Sequence, residues 1–139
     1  MMNTKVYKSV HDLAGRLIEA AERDDNNTFE LLYVQLNQIC IDNENTPKDH
    51  PVQWETLADF TEELEDALII YTKALEKSIA INSKDHMSSI GFSMASLQIE
   101  LGQTEAARTS LQNAKVSANK ISDLELKQEI HDLLESLTH

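Results

Sequence analysis

The sequence predicts an all-α fold: antiparallel helical hairpins, about six helices with one long central helix, in a single domain over residues 1–139. Three observations carry that expectation. Apolar residues recur at spacings of three and four along most of the chain, which puts them on one face of a helix. Only three glycines and two prolines are present, too few for the tight turns of a β-sandwich. Ala, Leu, Glu, Gln and Lys are plentiful, and all favour helix.

The first helix is expected from Thr4 to Arg23, with Val6, Val10, Leu13, Leu17 and Ala21 as its apolar stripe. "DDNNT" then interrupts the pattern, because Asp and Asn side chains compete for backbone groups. Asn27 is the expected cap of the second helix, with Glu30 completing a capping box. Phe29, Leu32, Leu36 and Ile39 form the second stripe, widened by Tyr33 and Cys40. Residues 4–41 therefore read as an N-terminal helical hairpin.

"DNENTPKDHP", residues 42–51, is a polar loop holding both prolines, and Pro51 suits the first turn of the next helix. Beyond it, residues 52–139 read as repeat-like helices. Leu57, Thr61, Leu64, Leu68, Tyr71, Leu75 and Ser78 alternate by four and three, and no Gly or Pro lies between Val52 and Ile81. The favoured reading is one long helix; two helices joined by a kink at Thr61–Glu65 are the alternative. Ser83 opens the next helix, with Met87, Ile90, Met94, Leu97 and Leu101 inward. Gly102 stands where a helix exits through a left-handed residue. A helix from Thr104 to Asn119 follows, then a last one opened by Ser122 and Glu125, with Leu126, Ile130, Leu133 and Leu137 as its stripe.

Ala67, Tyr71 and Ala74 correspond to Ala107, Leu111 and Ala114 at an offset of 40, a small–large–small pattern. "GFSMASLQIELGQTEAARTSLQNAKVSA", Gly91 to Ala118, resembles one unit of the tetratricopeptide repeat family. Met94, Ala95, the Leu101-Gly102 turn, Ala107, Leu111 and Ala114 carry the resemblance. Gly91 replaces the family's frequent Trp, Gln98 its frequent Tyr, and no proline closes the unit. A second unit from Gln53 to Ser78 offers Trp54, Leu57 and Ala58, but Ala58 and Ala67 stand too close by three residues and no turn Gly lies between them. The resemblance implies a right-handed array whose first helices line a concave face. On this chain that face would present Ser89, Phe92, Ser93, Ser96, Ile99 and Glu100. Members that clamp acidic tails use Lys and Asn there. Phe92, Ser93, Ser96 and Glu100 imply instead a neutral or basic peptide or helix, with Phe92 as its anchor.

The formal net charge is -12, and nine acids against Lys48 fall between Asp42 and Asp66. That field repels phosphate backbones, so nucleic acid is not an expected partner; the acids read as a solvated face. No apolar run has the length of a membrane span, and His11, Asp12 and Arg16 interrupt any N-terminal leader, so a cytoplasmic protein is expected. The lone Cys40 excludes an internal disulfide and reads as a buried, inert thiol. His11, His50, His86, His131 and His139 are scattered, with no pair at helical metal spacing. Neither a phosphate-cradling loop nor a nucleophile elbow occurs. The expectation is a non-enzymatic adaptor without cofactor or metal, binding another protein. The competing expectations are a homodimer built on the long helix and a regulatory domain with a ligand pocket.

Overall fold

A computed structural model describes residues 3–138, and among them lie seven helices and no strand. They are α1 (Thr4–Glu22), α2 (Asn26–Asn43), α3 (Pro51–Asp59), α4 (Leu64–Ala80), α5 (Lys84–Glu100), α6 (Thr104–Ala118) and α7 (Leu124–Leu137). None is long and apolar enough to cross a membrane. His139 lies outside the described residues.

The expected long helix is two. Between α3 and α4, Phe60 and Thr61 close the end of α3 through N–H bonds to Leu57 and Ala58, and Thr61 Oγ1 donates to the Leu57 carbonyl at 2.7 Å. Glu63 is the N-cap of α4, and Glu65 and Asp66 fill its first turn. Acids there are stabilised by the positive end of the helix dipole. A turn made by a threonine and a cluster of acids needs no Gly or Pro, which is why the apolar spacing runs through it unbroken. The same turn explains the short distance from Ala58 to Ala67: α3 is only 9 residues long, against 17 for α5.

Three other connections share one local design. Asp24, Asn82 and Gly102 take positive φ (55, 55 and 77°), and the next residue donates its N–H five residues back: Asp25 to Ala20, Ser83 to Ser78, Gln103 to Gln98. That bond satisfies an orphaned carbonyl at the helix end. The residue that makes it then serves as N-cap of the following helix, so each hairpin turns within three residues. Asp and Asn hold the left-handed position in the first two turns, where the sequence offered no glycine to mark it.

Caps were placed a residue or two away from those expected. Asp25, not Asn27, caps α2 by accepting the Thr28 N–H at 3.2 Å. Asp123, not Ser122, caps α7 by accepting the Leu126 N–H at 3.0 Å. In α1 the buried position is Ala20 rather than Ala21, which places the buried edge of the stripe on the Leu13 side of Leu17. Ser83 and Pro51 hold their expected places at the starts of α5 and α3.

Every helix packs on its neighbours in the chain. Beyond that, α1 meets α3, α3 meets α5 and α5 meets α7, while α2, α4 and α6 do not approach one another. The fold is thus two layers, with the odd-numbered helices in series on one side. Leu17, Leu36, Leu57, Ala74 and Ile90 centre one apolar cluster drawn from α1 to α5. Ala107, Leu111, Ala114 and Ile130 centre a second, drawn from α5 to α7. Adjacent residues of α5, Met94 and Ala95, belong to different clusters, so α5 is the partition between them. The six residues of the 40-residue offset are all buried in the same role, on the second helix of a hairpin facing the odd-numbered layer.

Close approach of α5 to α6 depends on Gly91. A Cβ there would lie 2.9 Å from the Cβ of Ala114 and 3.4 Å from the Ser110 carbonyl oxygen. Gly91 therefore has a steric reason in this chain. Beside it, the buried Gln98 accepts from Ser110 Oγ at 2.7 Å, tying the same pair of helices.

Candidate functional site

The seam between α3 and α5 carries a connected set of polar side chains. His50 is the N-cap of α3, and its Nδ1 accepts the Val52 N–H at 3.1 Å. That acceptor role requires an unprotonated Nδ1. Its ring meets that of His86 edge-on, with centroids 5.3 Å apart. Burial holds the His50 pKa below the ordinary imidazole value, and the nearby His86 lowers it further. His86 Nδ1 lies 2.8 Å from Glu55 Oε1, and Ser89 Oγ donates to Glu55 Oε2 at 2.7 Å. One turn along α3, Asp59 accepts from the hydroxyl of Tyr71 on α4. Ser93 of α5 lies near enough to the same Tyr71 hydroxyl to oppose the rise of its pKa.

Asp59 as a whole residue is exposed, while Tyr71, which holds its carboxylate, is buried. Burial of the carboxyl group raises its pKa from 3.8 to about 6, against the opposing effect of the Tyr71 hydrogen bond and with help from the Glu55 charge. Burial and the Asp59 carboxylate push the Tyr71 phenol well above its ordinary value.

The six residues expected to form the partner-binding face divide into three groups. Ser89 and Ser93 join the polar seam. Phe92 and Ile99 are half-buried and pack against the α6–α7 cluster. Ser96 is half-buried with its Oγ donating to the Phe92 carbonyl at 3.1 Å, and Glu100 is exposed at the end of α5. Sequence reasoning passed over His50, Glu55, Asp59, Tyr71 and His86. Glu55 and Asp59 are four residues apart, which puts both on one face of α3. That was the available signal, and it was submerged in the acidic run around it.

The chemistry of the seam follows from the order of its bonds. Glu55 sits between Ser89 and His86 and accepts from the serine directly. In a serine nucleophile the histidine occupies that middle place and takes the hydroxyl proton. Here the Ser89 proton is committed to a carboxylate, which makes the group a hydrogen-bonding surface of acceptors and hydroxyls. No group of three His, Cys, Asp or Glu positioned to hold a metal occurs among the described residues. Cys40 is fully buried, donates to the Gln53 carbonyl at 3.3 Å, and has its pKa pushed up to about 12 by burial, with the Asp49 and Glu44 charges adding to it. It is a packing residue, as its apolar neighbours in the sequence indicate.

Just before His50, the 42–51 segment is pinned to α4. Asp49 accepts from Trp54 Nε1 at 2.8 Å, from the Asn45 N–H at 2.9 Å and from Lys77 Nζ at 2.6 Å. Burial raises the Asp49 pKa, but these three bonds outweigh it and the net shift is downward. Lys73 and Lys77 both lie over the Trp54 ring, 4.5 and 5.3 Å from its centroid. This knot fixes the register of α3, and hence the direction in which Glu55 and Asp59 point.

No family model matches the chain, and no curated protein and no solved structure matches it either.

Proposed function

We propose that this chain is a non-enzymatic adaptor, a tetratricopeptide-like array that binds a peptide or helix of another protein along its odd-numbered layer. The observation that carries the reading is the packing of α1, α3, α5 and α7 in series while α2, α4 and α6 stay apart. The layer whose helices touch has the shorter arc, so it is the inner side of a curved array. An inner face of helices is a surface on which an extended segment can lie. On this chain the end of α5 presents the exposed Glu100, with the half-buried Ser96 one turn before it, and the partner that complements an acidic surface is neutral to basic. A cytoplasmic setting belongs to the same reading.

The test uses Ser96→Arg/Glu100→Arg, two substitutions one turn apart on α5 that leave the apolar clusters intact. Partners captured by the wild type and by the variant are identified by mass spectrometry, after the two proteins are matched for helicity and melting temperature. A partner bound directly by the purified wild type and lost by the variant supports the reading. A partner retained by both places binding elsewhere. Recovery of the chain alone, with a dimer in sedimentation, favours self-association. The apolar seam that motivates that second reading is divided by the turn at Phe60–Glu63.

A further inference from the structure

A second surface lies away from the odd-numbered layer, where the N-terminal half of α2 faces the turn between α3 and α4. An open cleft of about 370 Å³ separates them. Its apolar wall is Phe29, Tyr33, Val34 and Phe60. The cleft is braced: Phe29 and Phe60 meet edge-on at 6.3 Å, and the Tyr33 hydroxyl lies 2.6 Å from Thr61 Oγ1. Both sides are therefore held in place before anything enters, which lowers the ordering cost of binding.

The rim is of one sign. Glu30 comes from α2, and Glu62, Glu63 and Asp66 come from the turn and the start of α4; no Lys, Arg or His lines the cleft. All four are exposed, and none is in an ion pair among the described residues. The helix dipole accounts for an acid at Asp66, in the first turn of α4. It does not account for Glu30, which stands across the cleft beyond the first turn of another helix. Aromatic faces within a ring of carboxylates form a site for a cation with an apolar stem, because the ring quadrupole and the carboxylates attract the same charge. The apolar surface continues along α2 through Val34 and Leu31, each 64% exposed. A free small cation would leave that surface uncovered; a polypeptide with apolar residues beside the cation would cover it.

We propose that this cleft docks a segment of a partner protein that lays an arginine or lysine against the wall of Phe29, Tyr33 and Phe60, with an apolar neighbour laid on Val34 and Leu31. This site is separate from the odd-numbered layer and does not depend on the adaptor reading of that layer.

The experiment is selection of a displayed random-peptide library on the full chain. The selected peptides are then titrated against wild type and against Glu30→Gln/Glu62→Gln/Glu63→Gln, with amide shifts read by NMR. The expected result is enrichment of Arg or Lys beside an apolar residue, shifts at residues 29–34 and 60–66, and affinity reduced by roughly tenfold or more in the variant at low salt. Replacing the basic residue of the peptide by citrulline should give a similar loss. Several results would overturn the proposal: no enrichment, enrichment of neutral or acidic peptides, equal binding by a folded variant, shifts confined to α5, or a cleft filled by a second copy of the chain. Shifts confined to α5 would favour the odd-layer reading while removing this one, so the two fail separately.

Discussion

Gly91 and Ala114 mark a close approach of α5 and α6: the Cβ that Gly91 lacks would stand 2.9 Å from the Cβ of Ala114. Gly91→Ala gains about 1 kcal/mol of intrinsic helix propensity. It also forces two helix backbones apart, because neither methyl group can swing aside, and overpacking of this kind costs about 1–3 kcal/mol. The expected net effect is a loss of stability in urea denaturation. Ala114→Gly in the same chain should restore part of it, and a double-mutant cycle showing no coupling would remove the contact as the cause.

Asp49 ties Trp54, Asn45 and Lys77 together, and its side chain is only 10% exposed. Asp49→Ala leaves the indole N–H of a buried tryptophan and a lysine without their acceptor. A loss of about 1–3 kcal/mol is expected, with a red shift of Trp54 fluorescence as the 42–51 segment loosens. The Asp49 pKa is depressed in the folded state, so its contribution is present above 3.8 and is lost as pH falls through the lower folded value. The wild type should therefore lose stability in strong acid more steeply than Asp49→Asn.

Asp59 has the opposite sign. Its folded pKa of about 6 lies above the ordinary 3.8, so the folded state binds the proton more tightly than the unfolded state does. This group therefore costs stability at neutral pH and gives it back as pH falls from about 6 towards 3.8. Asp59→Asn keeps an acceptor for the Tyr71 hydroxyl without the charge. It should be more stable than wild type at pH 7 and nearly equal at pH 4, as read by urea midpoints. A variant that is equally destabilised at both would show that the carboxylate is not strained by its surroundings.

Asn82 holds the left-handed position between α4 and α5 with φ of 55°. Gly102 fills the same place between α5 and α6. Asn82→Gly should raise stability by about 0.5–1 kcal/mol, because the left-handed cost of a Cβ is removed. Gly102→Ala should lower it by about 1–2 kcal/mol, since nothing but its backbone conformation opposes the methyl group. Thermal melts of the two variants moving in opposite directions would check both.

The α5–α6 hairpin was legible in the sequence because its signals are local. Ser83 caps, Gly102 turns, and Ala107, Leu111 and Ala114 repeat at helical spacing, so each residue reports its own place. The α3–α4 hairpin was not legible. Its turn is held by Thr61 reaching the Leu57 carbonyl and by Tyr33, 28 residues earlier, reaching Thr61. A side chain arriving from another helix leaves no mark in the spacing of apolar residues. The candidate seam divides in the same way. Ser89 and Ser93 could be placed on one face of α5 from periodicity alone. That Glu55 and Asp59 face them, or that Phe92 and Ile99 turn towards α7, could not.

The sequence by itself determined that this chain is helical throughout, where most helices begin and end, and that small residues pair on successive second helices. Those properties rest on backbone propensity, capping and the 3.6-residue period, which act within a few residues of each position. Tertiary structure alone decided that the segment from Val52 to Ile81, with its unbroken helical spacing, folds back on itself, that the odd-numbered helices touch while the even-numbered ones do not, and that acids from α2 and α4 share one aromatic cleft. Packing sets these relations, and packing depends on which distant side chains meet.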